Sequence, residues 1–296
     1  MGKRTSETRR PLGWAIAHTA AVVAIVIFIL APVYVIVLVS FSPAGQVLSG
    51  KFHWVPQIIF TNYTAIFSQW RGLFQNLPQS SVADLVLPGI RNSFIVAIPV
   101  ACLNVLAASC AGYAFARLRF PARRALSIGL LATQMVPSLV LIIPLFVIFE
   151  HVGLTDSLVG VMIADMSITL PFTIWIVSNA VDAVPVELDR AARVDGTSWL
   201  GSMVRVTLPL ARGGILTGGL IAFLFSWNDL VYPLILVSNP NLIQIQPAVA
   251  GMYTDLTANF GIMTAATVIA TVPALLIAAL ALRPFIRGLL AGAVKG

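Results

Sequence analysis

Asp165 and Asp229 each lie within a run of apolar residues long enough to cross a bilayer. An ionised carboxylate costs about 2.5–3.5 kcal/mol there on insertion scales, so each must face a partner helix or water. Groups so placed could couple ion movement to transport, line a solute path, or hold helices together. For Asp229, which follows Trp227 and Asn228, the choices are lining a path or bracing the outer half of its helix. For Asp165 they are an interhelical polar contact or a cavity position. A second candidate, Gly45-Gln-Val-Leu-Ser-Gly50-Lys51, meets most of the phosphate-loop pattern G-x-x-x-x-G-K, but Phe52 replaces the Ser or Thr that would hold Mg²⁺ and no strand-to-helix context surrounds it. His18, His53 and His151 are scattered. Cys102 and Cys110 stand about 12 Å apart along a helix, too far for a disulfide, and read as small apolar packing residues. With no catalytic or metal-binding constellation and no cofactor site, any chemistry must come from a partner.

The elements that hold these residues belong to a membrane. Hydrophobic residues make up 58% of the 296 and charged ones 10%, with a mean hydropathy of +0.94; no soluble core of this size could hide so much apolar surface. Six runs suit a hydrocarbon layer of about 30 Å: residues 14–39, 92–116, 125–149, 158–181, 213–237 and 260–282, none with Lys or Arg. The fold class is therefore all-α, an integral membrane protein of six transmembrane helices. Lys3, Arg4, Arg9 and Arg10 precede the first span, Arg117 to Arg124 join the second and third, Arg190 to Arg212 join the fourth and fifth, and Arg283, Arg287 and Lys295 follow the sixth. Only Lys51, Arg71 and the boundary residue Arg91 fall on the other face. The positive-inside rule makes both termini cytoplasmic, and the net charge of +7 becomes a topology signal with no need of nucleic acid. Membrane lipid is the expected solvent, with weak attraction to anionic headgroups. The basic start and apolar run resemble a signal peptide, but the run is too long for one and no small-x-small site follows, so it is expected to remain as an anchor.

Residues 1–13 and 284–296 are then cytoplasmic tails around a transmembrane domain at 14–283. The outer segment 40–91 carries Phe41, Phe52, Trp54, Phe60, Tyr63, Phe67, Trp70 and Phe74, rings that favour the headgroup region, and part of it should lie along the membrane surface. Prolines at 32, 99, 137, 144, 171, 233 and 273 each remove a helix hydrogen bond that neighbours or cavity water must restore. No internal repeat is visible.

The cytoplasmic loop 182–212 has helical signals of its own. Pro185 suits a first turn, Glu187 and Asp189 sit near the positive end of the helix, Arg193 sits near its negative end, and Gly196 can end it in a left-handed conformation. Leu188, Ala191, Ala192 and Asp195 fall on one face, with Asp189 and Arg193 paired on another. Thr197 or Ser198 can cap a second helix with Leu200, Met203 and Val204 at i, i+3 and i+4. Ala191 and Ala192 are small enough to let another surface approach closely.

The spacing of this loop resembles the E-A-A, three residues, G, nine residues, I-x-L-P pattern of the coupling loop in permease subunits of binding-protein-dependent ABC importers. Ala191, Ala192, Gly196, Leu208 and Pro209 stand at the matching positions, with Val206 for Ile and Arg190 for Glu; Glu187 or Asp189 could supply the carboxylate that Arg190 does not. Asn62-Tyr63, Asn92-Ser93, Gly112-Tyr-Ala-Phe-Ala-Arg-Leu-Arg-Phe-Pro121, Leu170-Pro171-Phe172, Trp227-Asn-Asp-Leu230 and Gly288 to Gly296 are similar, in order, to the maltose-type, carbohydrate-uptake branch. The resemblance implies a type I ABC importer permease with a second, different permease subunit, two ATPase subunits that bind ATP and Mg²⁺, and an extracytoplasmic solute-binding protein, in the inner membrane of a bacterium.

Carried over by position, Glu187, Asp189, Ala191, Ala192, Asp195, Gly196, Leu208 and Pro209 would couple to the ATPase. Gly292, Lys295 and Gly296 in the tail would reach the ATPase dimer. Asn239, Asn241, Gln244 and Gln246, in the outer loop 238–258, would either contact the binding protein and its sugar or form a solvated loop. Two rivals stand beside this reading: an ion-coupled secondary transporter using Asp165 and Asp229, and an integral membrane enzyme, for which His18, Glu150 and His151 lie at opposite faces.

Overall fold

The computed structural model describes residues 12–43, 54–55, 58–68, 82–253 and 260–293. The Gly45–Lys51 stretch, Phe52, His53, Trp70, Phe74, Lys295 and Gly296 lie outside them. The α-helices are α1 (Leu12–Ser40), α2 (Thr61–Ser68), α3 (Val86–Arg117), α4 (Arg123–Thr133), α5 (Ser138–His151), α6 (Leu158–Asp182), α7 (Val186–Val194), α8 (Trp199–Ser202), α9 (Leu208–Leu210), α10 (Arg212–Asn228), α11 (Val231–Leu236), α12 (Ile245–Gly251) and α13 (Phe260–Ala293).

The centre of the bundle is the packing of α3, α6 and α10; α13 lies against α10, and α1 against α13. Lipid tails are as apolar as Leu, so helix association in a membrane depends on close fit. Small buried residues supply it here: Ala97 and Ala108 on α3, Ala164 on α6, Ala222 on α10, Ala265 and Ala266 on α13. Gly112 marks the tightest α3–α6 approach, where an added Cβ would stand 2.9 Å from Val177 Cγ1 and 3.0 Å from the Ser178 nitrogen. Cys102 and Cys110, expected to pack, are instead exposed on α3.

Four helices are long and apolar enough to span alone: Ile16–Ser40, Val86–Arg117, Leu158–Asp182 and Phe260–Leu280. The expected third and fifth spans are not continuous. The 125–149 run is broken between α4 and α5, which meet at 96°, because Pro137 has no N–H to donate and the linking residues make only turn bonds, Met135 N to Ala132 O at 3.1 Å and Val136 N to Thr133 O at 3.3 Å. The 213–237 run is interrupted after Asn228, where Asp229 turns to an extended ψ of 128°. At its other end α10 meets the Trp199–Leu210 segment at 79°. Among the described residues the candidate spans number four, or up to six if each bent pair is one span, and the second pair, Trp199–Leu210 with Arg212–Asn228, is displaced toward the N-terminus from the expected 213–237.

The Asn62-Tyr63 pair clasps the end of α1. Buried Asn62 donates from Nδ2 to the carbonyls of Ser40 and Ser42, both at 2.9 Å, and the Tyr63 hydroxyl lies 2.8 Å from Ser40 Oγ. These bonds satisfy carbonyls that the helix end leaves without partners.

Candidate docking loop and membrane polar seam

Helix α7 begins where Pro185, extended at ψ 128°, hands over to Val186, and Glu187 and Asp189 fill its first turn, where a helix dipole favours negative charge. Gly196, at φ +88°, ends it in the left-handed region that a side chain rarely adopts. Ser198 then caps α8 by accepting from the Gly201 N–H at 3.1 Å. The second helix is not the regular element expected: after Ser202 the chain makes a π-helical turn over Met203–Thr207 before α9. The extra residue in that turn buries Met203 while Leu200 and Val204 remain exposed.

Asp189 does not pair with Arg193 and does not face outward. It is only 2% exposed, and its Oδ2 accepts from Arg117 Nε at 2.7 Å. Its Oδ1 accepts from Ser202 and Thr207, both at 2.5 Å. Arg117, at the last turn of α3, also donates from Nη2 to the carbonyls of Val181 at 2.9 Å and Val184 at 2.5 Å. One carboxylate and one guanidinium thus join α3, the end of α6, α7 and the π-turn. Burial pushes the Asp189 carboxyl up, but the hydrogen bonds from Ser202, Thr207 and Arg117, with the Arg117 charge, outweigh it and hold the group below the usual carboxylate range. Arg193 instead donates to the Asp189 backbone carbonyl at 3.3 Å and lies 3.9 Å above the Trp199 ring, a cation–π contact worth about 0.5–1 kcal/mol at an exposed site.

The outward face of the loop carries Glu187, Leu188, Arg190, Ala191, Val194 and Asp195, with Val194 87% exposed; Ala192 is half-buried. Leu208 packs inward on the cluster around Val177 and Val181, and Pro209 is exposed. Asp189 therefore shapes the loop from inside and is corrected from a contact residue to an internal one.

A seam of polar groups runs through the membrane core. Ser226 on α10 donates to Asp165 on α6, Thr169 donates to the Asp165 carbonyl at 2.8 Å, and Asn104 on α3 donates to Thr169 Oγ1 at 3.1 Å. Asp229 caps the helix after the break, its carboxylate accepting from the N–H groups of Val231 at 3.1 Å and Tyr232 at 3.2 Å. Trp227, 1% exposed, donates to the Ala270 carbonyl at 3.2 Å and packs against Phe94 with ring centroids 4.7 Å apart. Asn228 is exposed and donates to its own helix at Leu224 O, 2.7 Å. The Ser226–Asp165, Asn104–Thr169 and Trp227–Ala270 bonds each join two helices, whereas Asn228 and Asp229 bond locally.

Residues 104–287 match the model of the binding-protein-dependent transport system inner membrane component. The chain belongs to this family. The permease is 30% identical to the trehalose transport system permease protein SugB of Mycobacterium tuberculosis over 97% of this chain and 99% of that one. It is 32% identical to the diacetylchitobiose uptake system permease protein DasC of Streptomyces coelicolor over 93% and 96%. Its fold matches a chain from the crystal structure of a bacterial ABC transporter involved in import of the acidic polysaccharide alginate, with a TM-score of 0.72 at 20% identity over 93% of this chain and 98% of that one. The permease is an ABC transporter subunit of the type I fold, a transport component and not an enzyme, and the ion-coupled alternative has no support. Membership implies an ATPase and a substrate-binding protein beside a permease that carries no cofactor.

The loop between α11 and α12 of the permease divides the four expected contact residues. Asn239 and Asn241 are exposed, and Asn239 Oδ1 accepts from the Asn241 N–H at 3.0 Å. Gln244 is 2% exposed and so cannot touch a docked protein directly, while half-buried Gln246 donates to Trp227 O at 3.4 Å. Asp156, at φ +49°, anchors this loop by accepting from the N–H groups of Ser238 at 2.5 Å and Asn239 at 2.9 Å. Sequence reading missed Arg117, Ser202, Thr207 and Asp156 as organisers. For Arg117 a signal existed: a basic residue directly ending an apolar span and close in the fold to an acidic loop. Gly292 ends up near the end of α13.

Proposed function

We propose that this permease is one half of a heteromeric, ATP-driven importer of carbohydrate, inserted in a bacterial inner membrane with both termini cytoplasmic. A second, different permease completes the path, two ATPase subunits bind ATP and Mg²⁺ beneath it, and an extracytoplasmic binding protein delivers solute to the face poor in Lys and Arg. The carbohydrate reading is supported by its relatives, permeases of trehalose, diacetylchitobiose and trehalose/maltose systems.

The observation that carries the coupling reading is the outward face of α7, with exposed Leu188, Ala191 and Val194 set between Glu187, Arg190 and Asp195. It is held rigid from behind by the Arg117–Asp189 pair. Rigid docking lets closure of the ATPases move α3 and α6 as units between discrete packings, because packed helices shift more readily than they deform. The tail around Gly292, Lys295 and Gly296 approaches the ATPase dimer, and Asn239 and Asn241 meet the binding protein.

The test is affinity capture of the ATPase from membranes by the native chain and by Val194→Asp, Ala192→Glu and Gly196→Pro. Val194 is almost wholly exposed, so its charge variant has no core to disturb. Full capture by a membrane-inserted Val194→Asp permease would remove α7 as the docking element.

A further inference from the structure

Asp165 on α6 and Asp229 at the break between α10 and α11 face each other within hydrogen-bond reach. Asp165 is 3% exposed, and no cation balances the pair. Helices α6 and α11 contain no Lys, Arg or His, α10 has only Arg212 as its first residue, and α3 has Arg91 in its second turn and Arg117 as its last residue. Arg117 is committed to Asp189. Helix α5, which packs on both α6 and α11, ends in exposed Glu150 and His151. Among the described residues the other titratable side chain facing both carboxylates is Tyr232.

Two ionised carboxylates so placed are both acceptors, repel each other, and lack the hydration they would keep in water. One proton between them replaces the repulsion with a charge-assisted O–H···O bond. The surrounding donors distinguish the two groups. Asp229 accepts from the Val231 N–H at Oδ1, 3.1 Å, and from the Tyr232 N–H at Oδ2, 3.2 Å, so a negative charge is stabilised there. Asp165 accepts from Ser226 at Oδ2, which leaves Oδ1 to carry a proton toward Asp229. The Tyr232 hydroxyl, on a side chain 2% exposed, is buried with no hydrogen-bond partner of its own and is turned to the same pair. The groups around the pair are thus O–H and N–H donors, which suit an anion that holds a proton; a metal cation needs a shell of free oxygen lone pairs instead.

We infer that Asp165 and Asp229 form one proton-binding site, in which Asp165 holds a single proton on Oδ1 and donates it to the Asp229 carboxylate. The site keeps one negative charge, shared among the donors from α10 and α11. It clasps α6 to the point where the helix breaks, so that α6, the end of α10 and α11 move as a unit. The proton enters from water as the helices assemble and stays through the transport cycle, so uptake does not depend on a proton gradient. Asp165 is a positioning residue, acting through the helix break.

The test is the infrared spectrum of the complete transporter, with both permeases, the ATPase and the binding protein, purified in detergent at neutral pH in water and in heavy water. The difference between native and Asp165→Asn is expected to show one C=O band of a protonated carboxylic acid that shifts on deuteration. Asp229→Asn changes the acceptor and is expected to shift or remove the same band in an assembled complex; it decides the question alone should Asp165→Asn fail to assemble. An absent acid band overturns the inference, and so does a band that Asp229→Asn leaves unmoved. An absent band together with a native melting temperature that falls when choline chloride replaces sodium chloride, and no such fall in Asp165→Asn, makes the pair a cation site, which also overturns the proton.

Discussion

Arg117 and Asp189, 72 residues apart in the chain, form a buried ion pair with Nε and Oδ2 2.7 Å apart and the two side chains 6% and 2% exposed. Removing one partner strands the other charge away from water, at about 3–5 kcal/mol for a buried pair. Asp189→Asn is therefore expected to lower the melting temperature of the purified permease and to reduce ATPase capture, although no residue on the docking face has changed. Arg117→Lys should recover little, because an ammonium cannot present the planar fork that reaches Asp189, Val181 and Val184 together. Exposed Glu187→Gln is the control and should melt as native. An Asp189→Asn protein with native melting and native capture would show that the pair does not shape the loop.

The same pair gives the loop an acid limit. The Asp189 carboxyl titrates below its unfolded value in the folded protein, so the unfolded state binds the extra proton and stability rises with pH through that window. Its contribution is complete above the unfolded carboxylate value of about 3.9 and is lost as pH falls through the lower folded value. The gap in melting temperature between native and Asp189→Asn permease should thus be constant from neutrality down to about pH 5 and narrow only below about pH 4. A gap that closes between pH 7 and 6 would point to a different group.

Close packing at the α3–α6 crossing predicts a steric phenotype. A Cβ at Gly112 would meet Val177 Cγ1 at 2.9 Å and backbone at 3.0 Å; at the neighbouring α6–α10 contact, one at Gly214 would stand 2.2 Å from Ala180 Cβ. Gly112→Val should cost about 1–3 kcal/mol, the usual range for overpacking, seen as a lower melting temperature in detergent and a smaller membrane yield. Gly129, with nothing within 4 Å of its added Cβ, is the tolerant comparison, and Gly129→Val should be stable.

Hydropathy made the membrane class legible, because apolar run length is a direct readout of bilayer thickness. It could not show that the 125–149 and 213–237 runs are broken near Pro137 and at Asp229, since the breaks depend on which backbone groups find partners. The α7 limits and the Gly196 turn were readable from local chemistry. The inward turn of Asp189 was not: its partner lies in another span, and helix periodicity alone paired it with Arg193, four residues on. Gln244 likewise looked like a surface amide within a polar loop, yet it packs at the buried α3–α12 contact, where Gly89 lets the backbone approach to 3.1 Å of an added Cβ.

The two membrane carboxylates face each other, and each also accepts from partners of its own. Asp229 holds two N–H groups at the start of α11, the role of an N-cap, for which replacement by Ala costs about 1 kcal/mol. Asp229→Asn keeps a side-chain oxygen and should support near-native uptake, while Asp229→Ala should weaken it by loosening α11. Asp165 accepts from Ser226 across the α6–α10 contact, so Asp165→Asn, which still accepts, should transport well, and Asp165→Leu, which leaves the buried Ser226 hydroxyl unpartnered, should lose about 1–3 kcal/mol of stability. Uptake in cells by both Asn variants should also persist when a protonophore collapses the proton gradient with ATP maintained, and fall when ATP is depleted. Loss of uptake in both Asn variants at native protein levels, together with collapse under the protonophore, would assign these carboxylates to ion coupling instead of bracing.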